Sequence, residues 1–169
     1  MARSIVDRMR GAALLDIPTY EEVEHDDSAT GQAAVVVLLV AIAAAIGMSG
    51  RGGPGIIGGA VAALASWAIW AGVTFLIGVR VFGGTATWGE LLRTLGFAQA
   101  PGVLLILAII PLFGWLVRMV VFIWMLVTGI VAIRQALDVT TGKAVITALL
   151  ACVAIWFIMI LIGIPFALR

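Results

Sequence analysis

Long uncharged apolar runs alternate with short charged breaks along this chain. Residues 28–50, 52–79, 94–117, 119–133 and 144–168 contain no Asp, Glu, Lys or Arg. A hydrocarbon core about 30 Å thick is crossed by roughly 20 helical residues rising about 1.5 Å each. The first, second and last runs meet that length outright. From Pro101 to Ile133 only Arg118 interrupts the apolar character, and the stretch is too long for one helix. Pro111 and Gly114 lie close together there and suit a break. The pattern predicts an all-α polytopic membrane helix bundle with about five transmembrane helices, near 31–49, 55–79, 97–113, 115–136 and 144–166. The third is short, so it calls for tilt or local thinning of the bilayer.

Two further segments read as amphipathic helices able to lie at the interface. Residues 3–15 set Ile5, Met9, Ala12 and Ala13 at helical spacing, away from Arg8 and Arg10. Residues 87–98 open with Thr87-Trp88-Gly89-Glu90, the pattern of a capping box, and continue with Leu91, Leu92 and Leu95. Thr19 and Glu22, after Pro18, suggest a second box. Residues 1–30 thus form an N-terminal segment before a transmembrane domain at 31–169, whose first apolar run reads as an uncleaved span rather than a signal peptide.

Composition agrees: 63% of residues are hydrophobic and 11% charged. A water-soluble fold of this size would still expose about a third of its unfolded surface. Charge then sets orientation, since basic residues favour the cytoplasmic side. With the N-terminus inside, that side receives Arg3, Arg8, Arg10, Arg80, Arg93, Arg134 and Lys143; the far side receives Arg51, Arg118 and Arg169. The expected placement is a bacterial inner membrane, N-terminus cytoplasmic and C-terminus outside. Arginine-, alanine- and glycine-rich usage supports the bacterial assignment.

Small residues at spacing four mark candidate helix-packing or interaction faces. Gly55, Gly59 and Ala63 form one row and Gly58, Ala62 and Ser66 another; Thr128, Ala132 and Ala136 follow in the fourth span, and Ala144, Ala148 and Cys152 in the fifth. Trp88, Trp115 and Arg118 are placed as interfacial anchors, with the arginine stem snorkelling.

Catalytic chemistry is not visible. Intramembrane transport or proton relay calls for ionisable groups at depth, and the spans lack them. Cys152 is the lone cysteine and His25 the lone histidine, the latter in an acidic segment where it reads as solvated. No metal set, cofactor site, phosphate loop or basic stripe for nucleic acid stands out. The leading expectation is a non-catalytic scaffold or interaction protein, an accessory to a larger membrane complex. Its partners are then the lipid bilayer and other membrane subunits or a second copy. A transporter or channel for a small neutral or hydrophobic solute, lined by Ser66, Thr74 and Thr128, is the alternative.

Three motifs carry a family resemblance. They are Pro18-Thr19-Tyr20-Glu21-Glu22-Val23; Gly96-Phe97-Ala98-Gln99-Ala100-Pro101 ending the amphipathic helix; and Ile123-Trp124 to Ala136-Leu137 followed by Lys143-Ala144. In this order they resemble the Yip (Ypt/Rab-interacting protein) family in its bacterial form, with Pro18, Gly96, Pro101 and Trp124 as motif positions. The resemblance implies five spans, a cytosolic N-terminus and a non-enzymatic role. Eukaryotic members act in vesicle traffic and bind prenylated small GTPases. GTPase binding is not carried over, because residues 1–30 leave little cytosolic surface.

Overall fold

The computed structural model describes residues 3–48 and 56–167, all of whose regular elements are helical. The helices are α1 (Ile5–Ala13), α2 (Ile17–His25), α3 (Ala29–Gly47), α4 (Ile56–Phe82), α5 (Trp88–Ala98), α6 (Gly114–Leu137) and α7 (Thr141–Ala167), with a 3-10 helix at Ala100–Ile109. Five stretches are long and apolar enough to cross a membrane: Ala29–Gly47, Ile57–Phe82, Trp88–Ile109, Gly114–Leu137 and Thr141–Ile158. The chain is a five-span helix bundle.

Side-chain caps set the starts of α1 and α5. Ser4 caps α1 by accepting from the Asp7 N–H. At α5 the capping box forms in both directions, Glu90 N–H to Thr87 Oγ1 at 3.3 Å and Thr87 N–H to Glu90 Oε2 at 2.8 Å. The box expected at Thr19 and Glu22 does not form. Helix α2 starts earlier, with Asp16 as cap residue; Thr19 Oγ1 donates to Asp16 Oδ2, while arginines take the Glu22 carboxylate. Charge pairing outcompetes a backbone cap there.

The third span departs most from the pattern reading. It is not an α-helix over 97–113. Helix α5 turns at Gln99 into ten residues of 3-10 helix that end at Ile109. Pro101, lacking an N–H, sits at its start. A 3-10 helix rises about 2.0 Å per residue, so ten residues reach about 20 Å where an α-helix would reach about 15 Å. Stretching thus meets part of the length shortfall for which tilt or thinning was expected. This span is also the most enclosed, with 56% of its most apolar 18-residue stretch buried against 33% or less for the others.

Close backbone approach holds the stretched segment between α3 and α6. A Cβ on Gly47 would lie 2.0 Å from the Leu105 carbonyl oxygen, and one on Gly114 would lie 2.2 Å from that of Ala108. Both amphipathic helices pack against the rest of the bundle. Helix α5 buries Leu91, Arg93, Thr94, Leu95 and Phe97 among α2, α3, α4 and α6. Helix α1 turns Ile5, Met9, Ala12 and Ala13 toward the core, leaving Val6 and Leu14 exposed.

Gly47→Ala is expected to lower stability by about 1–3 kcal/mol, the usual cost of overpacking. Gly31→Ala, with nothing within 4 Å of the new methyl, should change it by less than about 0.5 kcal/mol. Denaturant unfolding in detergent micelles measures both; equal effects would contradict the close packing.

Candidate functional site

The three motif segments meet at one node. Tyr20 of α2 is fully buried, and its hydroxyl donates to the Ala12 carbonyl at 2.9 Å and the Thr128 carbonyl at 3.3 Å. The Trp124 indole N–H donates to the Ala13 carbonyl at 2.8 Å, and Thr128 Oγ1 donates to the Ala98 carbonyl at 2.7 Å. Gly96 lies against α3, where a Cβ would come within 2.7 Å of the Ala33 methyl. Pro18 stands in the first turn of α2. Carbonyls at a helix end have no partner within the helix; here the Trp124 indole supplies one to Ala13, and the Tyr20 phenol joins the Leu15 N–H at Ala12.

This node reaches well along α6. Trp124 lies about 20 Å from the Leu137 end at the usual helical rise, so the α1–α2 hairpin descends to roughly the middle of that helix. Two buried arginines fasten it. Arg8, 1% exposed, pairs with Glu22 at 2.8 Å and Asp26 at 2.6 Å and donates to Gln32 Oε1 at 3.1 Å. Arg93 of α5 donates from Nε to the carbonyls of Val23 and Glu24, each at 3.1 Å, and pairs with Asp27 at 2.9 Å. Sequence alone places both in the positive-inside count; the acidic run from Glu21 to Asp27 is the available signal that they are paired.

The ion pairs leave their mark on the acids. Hydrogen bonds from Ser28 and Arg8 hold the Asp26 carboxyl below its ordinary value, and those from Thr19 and Arg3 do the same for Asp16. Glu24 behaves oppositely. It is 6% exposed, its Oε2 has no hydrogen-bond partner, and burial raises its pKa to about 7.

The small-residue rows separate into two kinds. Thr128, Ala132 and Ala136 are buried within the bundle, as are Ala144 and Ala148, whereas Cys152 is exposed. Gly59 and Ala63 are half-buried, but Gly58, Ala62 and Ser66 are exposed along α4; Gly55 lies outside the described residues. Beside this face, α3 and α4 border an apolar groove of about 360 Å³. Ala41 and Ala44 of α3 and Ala63 and Ser66 of α4 line it, with Met125 and Ile155 below.

The remaining residues singled out in sequence lie apart. Trp115 is exposed and Arg118 half-buried beside a polar cavity of about 360 Å³ at the opposite end of α6. Trp88 is half-exposed, with its indole nitrogen 3.7 Å from where Gly72 would carry a Cβ. That places it well inside α4's length, not at its end.

Folded-state pKa values below the unfolded ones contribute stability above the unfolded value, and that contribution disappears as pH falls through the folded value. Docking of α1–α2 is therefore expected to weaken as pH drops through and below the usual carboxylate range. Arg8→Met should cost about 1.5–3 kcal/mol near neutrality, as lost charged hydrogen bonds do, and flatten that acid limb. Limited proteolysis within residues 3–27 reports both effects; an unchanged cleavage rate in the variant would contradict the fastening role.

Comparison with known proteins completes the picture. Neither a curated protein nor a solved structure matches the chain. The family model of the Yip1 domain matches residues 13–164, from the end of α1 through most of α7. With five apolar spans and the motif node inside the matched region, this multi-pass membrane protein belongs to the Yip1 domain family.

Proposed function

We propose that this protein is a non-catalytic membrane scaffold that binds a transmembrane helix of another subunit, or of a second copy, along the exposed face of α4. The observation that carries the reading is the contrast between rows. The bundle buries Thr128, Ala132 and Ala136 of α6 and Ala144 and Ala148 of α7, while Gly58, Ala62 and Ser66 remain uncovered beside a groove where Ala41, Ala44 and Ala63 alternate with larger apolar side chains. In lipid, such a surface lets a second backbone approach closely enough for van der Waals packing and weak hydrogen bonds to drive association. The Yip1 domain family is generally a family of non-enzymatic membrane proteins, which supports the absence of catalysis.

The solute-path alternative finds less support. Ser66 faces the groove, but Thr128 is buried with its hydroxyl committed to the Ala98 carbonyl. Thr74 is buried on α4 two turns from Ser66.

A cytoplasmic N-terminus belongs to the same reading. Lys143 Nζ donates to the Phe82 carbonyl, Thr85 Oγ1 donates to Asp138, and Arg93 binds α2. These contacts gather the ends bearing Arg80, Arg134 and Lys143 with the arginine-bearing hairpin, and a one-sided basic end favours the cytoplasm.

Ala62→Leu is expected to shift the detergent-solubilised protein from a complex of fixed stoichiometry toward the lone chain, without loss of helicity. Ala132→Leu, at a fully buried position, should instead destabilise the fold itself. Light scattering coupled to size exclusion distinguishes these outcomes. A wild-type chain that runs alone, or an Ala62→Leu variant that associates normally, would remove the proposal.

A further inference from the structure

Helix α2 carries a group of potential ligands that neither the membrane anchor nor the interaction face uses. Glu21, Glu24 and His25 occupy positions i, i+3 and i+4, hence one face of the helix. A carboxylate oxygen from each glutamate and a ring nitrogen of the histidine all lie within 4.8 Å of one another. Two of the residues, Glu21 and His25, are exposed; Glu24 is 94% buried by its 6% exposure, and its Oε2 lacks any hydrogen-bond partner. An isolated buried carboxylate is costly unless a proton or a cation satisfies it.

Apart from the ring of His25, itself one of the three candidate ligands, the neighbourhood offers no cation from the protein for that task. Arg93 approaches from α5, but it bonds the Glu24 carbonyl and pairs with Asp27. Arg134 of α6 donates to Gln135 Oε1. Neither Glu21 nor Glu24 belongs to an ion pair among the described residues. The other charges facing Glu24, those of Glu90 on α5 and Asp138 at the end of α6, are negative and raise the local demand for positive charge.

We propose that Glu21, Glu24 and His25 form a binding site for a divalent transition-metal ion of the zinc class. Imidazole with carboxylates is a donor set suited to such ions, whereas calcium and magnesium take oxygen ligands. Bonds of about 2.0–2.2 Å need ligand atoms roughly 3–3.5 Å apart, a closure that rotation of the two exposed side chains supplies. The histidine is already oriented for it. Its Nδ1 lies 2.8 Å from the Glu21 carbonyl oxygen, so Nδ1–H donates there and the Nε2 lone pair is left for the metal, the usual outer-shell arrangement. Gln135 Nε2 donates to Glu21 Oε1 from α6, giving the second ligand an outer partner and tying the site to the bundle. A bound ion therefore braces one face of α2, which Gln135 links to α6.

Zinc titration of the full chain, purified in detergent, stripped with chelator and freed of any histidine tag, tests the site. The wild type is expected to bind one Zn²⁺ saturably, with excess Mg²⁺ failing to compete. His25→Gln and Glu24→Gln should each weaken binding by about tenfold or more. Glu24→Gln also removes the unpaired buried charge, so the metal-free variant should melt no lower than the metal-free wild type, which separates lost ligation from misfolding. Co²⁺ substitution should give visible ligand-field absorption in the wild type that His25→Gln loses. Absence of saturable zinc binding in the wild type, or wild-type affinity in both variants, overturns the assignment.

Discussion

Backbone amides and carbonyls placed in hydrocarbon must find partners within the protein, because no water is there to serve them. Every unusual feature of this bundle answers that demand. The α1–α2 hairpin reaches the level of Trp124, whose indole N–H takes the Ala13 carbonyl, while backbone N–H groups take those of Arg10, Gly11 and Ala12 and Tyr20 adds a second donor to Ala12. Helix α5 and the 3-10 segment meet the same condition at Ala98, whose carbonyl accepts from Thr128. The motif residues are therefore the partners that let irregular backbone sit deep among helices.

Fastening by charge follows from the same placement. Arg8 and Arg93 are buried at the seam between the hairpin and the spans, where each satisfies several acceptors at once. A planar guanidinium with five donors suits such a junction better than an ammonium. The acids that pair with them explain why the N-terminal segment is acidic despite standing on the basic side. With the hairpin, α5 and the 3-10 segment closed on one another, Thr128, Ala132 and Ala136 of α6 and Ala144 and Ala148 of α7 are also buried, and α4 retains an uncovered small-residue face. The uncovered α4 face and the closed interior are thus two sides of one packing solution.

Much of this architecture was legible from the chain. The uncharged runs gave the five spans, and Thr87 with Glu90 announced the start of α5. Two things were hidden. Periodicity cannot distinguish a 3-10 stretch from an α-helix, because the stretch is held by contacts from Gly47 and Gly114, residues far apart in sequence. Spacing also cannot say which small row is consumed; Ala132 and Ala62 look alike in sequence, and tertiary packing buries one and leaves the other exposed. His25 read as a solvated residue, and it is exposed, but the neighbouring Glu24 gained significance only once α5 and α6 buried it.

The most direct test of this account is amide hydrogen exchange in lipid nanodiscs, followed across Ile17–His25. A hairpin docked among the spans predicts exchange slowed to the pace of the Thr128–Ala136 stretch of α6. Exchange at the rate of an unstructured peptide would show α2 free of the bundle and contradict the central claim.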